Sequence, residues 1–325
     1  MATGPLVTET SLDRGFDSYQ YRDRDKNLAG EWGTTAREKL SQLEDPFFLY
    51  MHLWELHWPI EVPPGYDSAA YGKSPYARAL SALDRELESF VAELPEDTMI
   101  VFHGDHGESI TGRGIPWAIP RYLYRRFVRE KLTYERGYDT RSLTRVINRA
   151  ADAISRPEIR DHYLETGHGT NIYDFTTNVP FLVRAPDLEP ATVDNQVRQI
   201  DIFPTVLDAL GIEYDPTKEI DGESLLPPTV IKDRDAYMRA TGGDNRGGRG
   251  SSWMRGIRAN GYKYIEYPSR DWSPELYDLD LDPSELSPVH DEEIQVKLKN
   301  KLPDRELMDI EKADVDDLLR ELGYL

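Results

Sequence analysis

Residues 98–103, Thr-Met-Ile-Val-Phe-His, are a short, nearly unbroken apolar run that ends abruptly in Gly104-Asp105-His106-Gly107. A run of this kind predicts a strand buried on both faces, and a Gly-flanked polar loop at its carboxyl end is where α/β sheets hold ligands. Two other runs share its character, 46–53 (PFFLYMHL) and 179–185 (VPFLVRA). Tyr76, Leu80, Leu83, Leu87, Phe90 and Val91 recur at spacings of three and four, which predicts an amphipathic helix over 76–94 stopped by Pro95. A second helix is expected over 199–210, with Pro204 near its first turn and Gly211 as its stop. Strands that alternate with helices give an α/β fold.

The remaining segments set the domain organisation. At about 150 residues per domain, 325 residues make one large domain, or a large one with a small one. Residues 113–164 are rich in Arg and Tyr, and Tyr122, Phe127, Leu132, Leu143, Val146 and Ile147 mark two or three helices of an insertion. Its position between two candidate site segments predicts that it covers the site. Beyond the Gly-rich stretch 242–250, short alternating segments at 252–258 and 262–267 predict an antiparallel meander closing on a helix over 314–325. The expected division is an α/β domain over 1–235 and an antiparallel subdomain with a helix over 236–325.

Composition excludes several function classes. Acidic residues outnumber basic ones, 59 to 39, and a net charge of -20 repels a nucleic-acid backbone. No apolar run approaches the roughly 18 residues of a membrane span, and residues 1–13 have neither a basic nor an apolar leader region, so a cytoplasmic protein is expected. An acidic surface whose basic residues are mostly Arg suits concentrated salt and a halophile's cytoplasm, although ordinary acidic cytosolic proteins share the trait. Cysteine is absent, which removes disulfides, thiolate metal sites and any Cys nucleophile.

Five of the seven histidines fall in three segments: His52 and His57, His103 and His106, and His168. Asp105 and His106 combine a hard oxygen with a borderline nitrogen, a pair suited to Ca, Mg, Mn or Zn. The alternative is a helix-capping Asp beside a packed His. In His57-Trp58-Pro59 the proline fixes the direction of the loop, and the imidazole can donate to an anionic substrate oxygen or to a leaving group; packing against Trp58 is the plainer role. His168 lies between Gly167 and Gly169, which permit close approach of a ligand or simply a turn.

In order along the chain, GFD (15–17), PFFLYMHLWELHWPI, ALDRELESF, TMIVFHGDHGES, GHGTNIYDFTTNVPFLVRAP, QIDIFPTVLDALGI and DGESLLP resemble the sulfatase branch of the alkaline phosphatase superfamily over residues 15–227. GYKYIEYP and ELYDLDLDPSEL extend the likeness toward the C-terminus. The resemblance implies a mixed α/β sheet between helices with a small C-terminal antiparallel subdomain, and a metal-dependent hydrolase of sulfate esters. It places Asp105 and His106 as metal ligands, with Ca first and Mg, Mn or Zn as alternatives. It places His57 on the transferred group or leaving oxygen. His168 falls near a substrate-binding Lys of the family, here without that Lys.

The family's first strand with a paired Asp site, and its nucleophile motif C/S-x-P-x-R, do not precede Gly15. Ser155-Arg156-Pro157 lacks the closing Arg, and Ser74-Pro75 has its Pro one position early. The sequence therefore reads as the C-terminal two-thirds of such an enzyme, N-terminally truncated and inactive alone. An open sheet edge would then favour self-association or a complementing chain. The alternatives are a phosphodiester or phosphonate monoester hydrolase, which His106 favours over the more usual Asn, and a catalytically dead remnant that serves as a binding partner.

Overall fold

The computed structural model describes residues 1–8, 12–110, 115–155, 162–165, 168–213, 220–240 and 253–303. They fall into two compact units, Met1–Glu96 and Asp97–Glu306.

In the first unit, α1 (Glu31–Leu40) and α2 (Pro75–Val91) supply the core. The Ser74 hydroxyl accepts the Ala77 amide at 3.1 Å and Pro75 occupies the first helical position, so the start of α2 follows from its sequence. Leu28, Trp32, Ala36, Leu40, Leu83 and Phe90 form one buried cluster, with Leu49, Met51, Leu53 and Leu56 against it. The inward face of α2 is rotated from expectation: Ala79 and Ala82 are buried while Leu80 is 44% exposed. The helix also closes at Val91, before Pro95 is reached.

Residues 46–53 are extended but form no named strand, and they are not buried on both faces. Phe48 and Tyr50 are exposed while Leu49 and Met51 turn inward, the period-two pattern of a half-covered ribbon. The Met1 ammonium donates to the Tyr50 carbonyl at 2.7 Å and the His52 amide to the Met1 carbonyl at 3.0 Å. On its other side Ala2 bridges Tyr21 in parallel.

In the second unit, β1 (Ile100–His103) pairs antiparallel with β2 (Phe181–Arg184). Phe102 and Leu182 are directly opposite one another and both exposed, so neither run is buried on both faces as expected. Helix α3 (Ile115–Leu123) continues as a π-helical stretch, Tyr124–Glu135, and α4 (Arg141–Ser155) follows. A short helix α5 (Asp174–Thr177) precedes β2, and α6 (Ile202–Ala209) follows a 3₁₀ turn at Gln199–Asp201. Gly211 takes φ +62°, the left-handed stop its position predicts.

The meander is β3 (Ala236–Ala240), β4 (Met254–Ala259), β5 (Tyr262–Glu266) and β6 (Glu275–Asp278), antiparallel throughout and in sequential order. One face packs Met254, Ile265, Tyr267 and Tyr277 against Ile172 and Tyr173. The other packs Ile257, Tyr264 and Leu276 against Leu298 of α7 (Glu292–Lys299). Covered on both sides, the centre of β5 is continuously buried rather than alternating. Asp291 caps α7 by accepting the Ile294 amide at 3.0 Å. Residues 242–250 and the helix expected over 314–325 lie outside the described residues.

Candidate functional site

Strand β1 delivers His103 to the start of the 104–107 loop, and backbone contacts from two sides fix the loop's path. The Gly104 amide donates to the Pro180 carbonyl at 3.1 Å and the Gly107 amide to the Thr176 carbonyl at 2.8 Å. The Gln199 side-chain amide donates to the carbonyls of both Gly104 and Asp105, at 2.7 and 2.9 Å. Gly107 has no room for a side chain, since a Cβ there would lie 2.1 Å from the Phe175 carbonyl oxygen. We expect Gly107→Ala to push these two backbones apart at a cost of about 1–3 kcal/mol. Unchanged thermal unfolding and unchanged hydrogen exchange of the 107 amide would refute this.

Within that loop Asp105 Oδ1 accepts the His106 amide at 2.9 Å. His106 Nδ1 lies 3.0 Å from the Gly107 carbonyl. A carbonyl only accepts, so that contact places the proton on Nδ1 and leaves the Nε2 lone pair to ligate. Nε2 is 3.5 Å from Asp105 Oδ2. Two adjacent ligands on one ion with bonds of about 2.0–2.5 Å stand roughly 3–3.5 Å apart, so the pair fits a shared divalent cation.

His168 joins this pair, its ring stacked on His106 with centroids 3.7 Å apart and planes at 25°. Its Nδ1 is 3.5 Å from Glu108 Oε2, whose other oxygen accepts the Ser109 amide at 3.1 Å. Asp105, His106 and His168, three of the four residues expected from the sequence, thus form one cluster in the second unit. Glu108 and Gln199 belong to the same assembly and were not singled out in the sequence. Glu108 follows the 104–107 loop directly and its acidity was the available signal, whereas Gln199 reaches the loop from more than ninety positions away.

His57 belongs to the first unit. Its ring stacks on Trp54 at 3.8 Å between centroids, and Nδ1 lies 2.6 Å from the Trp58 carbonyl. By the same reasoning a proton sits on Nδ1. The residue lines a cleft of about 220 Å³ with Arg22, Arg24, Trp54, Trp58 and Glu61. Glu55 braces the cleft wall by accepting from Arg22, at 2.9 Å, and from the Leu28 and Trp54 amides.

Comparison with known proteins gives the ancestry. The sequence model of the sulfatase family matches residues 8–212, more than half of the chain. The model described as the C-terminal part of N-sulphoglucosamine sulphohydrolase matches residues 169–313. Arylsulfatase K of Mus musculus is 31% identical over 144 residues, 41% of this chain and 25% of that protein. The ulvan-active sulfatase of Formosa agariphila is 30% identical over 139 residues, 42% of this chain and 22% of its own length. The chain thus matches about a quarter of the length of these relatives.

The structure of the PsFucS1 sulfatase from Pseudoalteromonas sp. aligns with a TM-score of 0.51 at 16% identity, over 87% of this chain and 54% of that one, which shows a shared fold. The mixed α/β architecture is accordingly that of the alkaline-phosphatase-like sulfatases. With the motif order and the family match over most of the site-bearing residues in agreement, the chain belongs to the sulfatase family.

Proposed function

We propose that this chain carries metal- and ester-holding residues of a divalent-metal-dependent hydrolase of sulfate esters. The observation that carries this reading is the Asp105, His106 and His168 cluster on a loop that Gln199 and the 176–180 backbone hold in place. Asp105 Oδ2 and His106 Nε2 would hold the cation, with Ca first and Mg, Mn or Zn as alternatives. When bound, such an ion supplies charge neutralisation at the ester's oxygens. His168, steadied by Glu108, hydrogen-bonds the anionic ester, and His57 in its doubly protonated form donates from Nε2 to the leaving oxygen while Nδ1 stays on the Trp58 carbonyl. None of the 325 residues is Cys and no Ser stands in Ser-x-Pro-x-Arg register, so the family's nucleophile is not assigned to a residue of this chain. The functional division into 1–235 and a C-terminal subdomain over 236–325 is part of this reading.

Calorimetric titration with Ca²⁺ tests the metal assignment: one ion should bind, and Asp105→Asn or His106→Ala should weaken it at least about tenfold. Equal binding in both variants would overturn it. An aryl sulfate should then bind the Ca²⁺-loaded protein, compete with inorganic sulfate, and bind more weakly to His57→Ala and His168→Ala. Tighter binding of an aryl phosphonate would favour the phosphonate reading instead.

No helix of the described residues is long and apolar enough to cross a membrane. We read the net charge of -20 as adaptation to a salt-rich cytoplasm, where screening relieves self-repulsion. Unfolding free energy should rise between 0.1 and 2 M KCl, and a fall would rule this out.

A further inference from the structure

Helix α4 turns the polar Thr144 and Asn148 inward together with Ala151, and leaves several of its larger apolar residues outside. Its apolar residues Leu143, Val146 and Ile154 are 47%, 55% and 80% exposed, while Thr144 and Asn148 are 7% and 1% exposed. Arg141, Thr144, Arg145 and Asn148 follow helical spacing and form one stripe, and all four line a cavity of about 80 Å³ in the second unit. Tyr267 and Trp272 of the meander region, Arg129 of the π-helical stretch and Thr170 complete the parts of the wall that matter here. A helix that turns its polar stripe inward needs polar partners there, because a buried polar group without one is costly.

Those partners are only partly present. Of the carboxylates around the cavity, Glu275 and Asp139 have both oxygens engaged in hydrogen bonds. Glu275 accepts from Arg145 and, at 2.7 Å, from the Tyr267 hydroxyl. Asp139 accepts from Arg141 Nε and Nη2 at 2.8 and 2.6 Å, whereas Glu165, which lines the cavity, is only ion-paired with Arg129, at 3.6 Å. Three groups on the wall have no hydrogen-bond partner among the described residues: Asn148 Nδ2, Arg141 Nη1 and the Thr170 hydroxyl. Asn148 Oδ1 is already used, accepting the Leu164 amide at 3.1 Å, which leaves its amino group over. Arg141 Nη1 has only a 3.6 Å approach to Glu275.

Two of these groups are obligate donors and the third can donate. The missing partner is therefore an acceptor, and an oxyanion, which only accepts, answers all three donors; the three guanidinium groups on the wall are each matched by a carboxylate, Arg141 by Asp139, Arg145 by Glu275 and Arg129 by Glu165. At roughly 30 Å³ per liquid water, the volume suits a tetrahedral or carboxylate-sized group.

We propose that this cavity is an oxyanion-binding site, with Asn148, Thr170 and Arg141 as its donors, separate from the Asp105 and His106 cluster. The assignment does not rest on the sulfatase reading. The oxyanion is either a free ion or an acidic group carried on a larger ligand.

Inorganic sulfate titrated into the metal-free protein, against chloride at constant ionic strength, tests it by calorimetry. Saturable binding at one site is expected in the wild type and in His106→Ala. Asn148→Asp keeps the acceptor for Leu164 but sets a like charge against the anion, and should weaken binding at least about tenfold. Thr170→Val should weaken it about threefold or more, and it decides the matter should Asn148→Asp fail to fold. Sulfate binding that matches chloride, that is unchanged in both variants, or that vanishes in His106→Ala overturns the proposal. A disulfated monosaccharide that binds more tightly than sulfate, and loses affinity in both His106→Ala and Asn148→Asp, identifies a group on a larger ligand; otherwise the source is the free ion.

Discussion

Replacing Lys263 with methionine is expected to lower the unfolding free energy by about 3–5 kcal/mol, the cost of stranding buried charges rather than of losing volume. Lys263 lies in the continuously buried centre of β5 and is fully inaccessible. Its ammonium donates to the Ile172 carbonyl at 3.0 Å and to Asp174 Oδ1, and it forms an ion pair with Glu285 Oε1 at 2.9 Å. Glu285 is 1% exposed, and Arg258 approaches the other Asp174 oxygen at 3.3 Å. The network ties the 172–174 segment and the 285 turn to the middle of the meander. Methionine keeps the length of the chain but leaves Asp174 and Glu285 facing one another without the cation. Urea unfolding gives the number, and a loss below about 1 kcal/mol would show that the network contributes nothing of this kind.

The same network makes stability depend on pH in a stated direction. Burial, with the Asp174 charge adding to it, pushes the Glu285 carboxyl up to about 7 against the opposing pull of Lys263. The folded protein therefore holds a proton there that the unfolded chain releases near its ordinary value of 4.5. Stability from this group is fully present below that value and is lost as pH rises through about 7, a change on the order of 3 kcal/mol. Glu285→Gln should flatten this part of the stability curve between pH 5 and 8. A slope unchanged by that substitution would place the titration elsewhere.

How far the sequence disclosed these features depends on how local their causes are. The start of α2, the Gly211 stop and the β4 to β5 hairpin follow from neighbouring residues, and they stand close to where the pattern puts them. Asp105 and His106 are neighbours in the loop that follows β1, and the fold keeps their side chains 3.5 Å apart, as contiguity in the chain leads one to expect. The ribbon at 46–53 shows the limit: an apolar composition does not say whether one face or two will be covered, and here Phe48 and Tyr50 remain outside. Helix α4 reads as amphipathic, yet periodicity cannot tell which stripe turns inward, and the polar one does. Glu108 with His168, Gln199 with the 104–107 loop and Lys263 with Glu285 join residues far apart in the chain. Only the fold brings such pairs together, so no window of sequence contains them.

Asp201 is where a local signal and a distant consequence meet, and Asp201→Ala is expected to cost about 3 kcal/mol or more while loosening the 104–107 loop, proposed above to hold the metal. Its carboxylate is fully buried. It accepts from the Arg198 guanidinium at 2.9 Å and from the amides of Arg198 and Glu223 at 2.9 and 3.0 Å, with Arg234 3.0 Å away. Burial by itself would raise its pKa, yet these hydrogen bonds and the Arg198 charge hold it below the usual carboxylate value. Its contribution is therefore present above about pH 4 and is lost as pH falls through the lowered value. Asp201 closes the Gln199–Asp201 turn, and Gln199 carries the two hydrogen bonds to the carbonyls of Gly104 and Asp105. Removing Asp201 should thus weaken Ca²⁺ binding as well as folding, although it touches neither Asp105 nor His106. Gln199→Ala separates the two effects, since its side chain is exposed and its loss should lower Ca²⁺ affinity with less than about 1 kcal/mol of lost stability. Wild-type Ca²⁺ affinity in Gln199→Ala would mean that the loop holds its shape without this turn, and the effect of Asp201 would then be on folding alone.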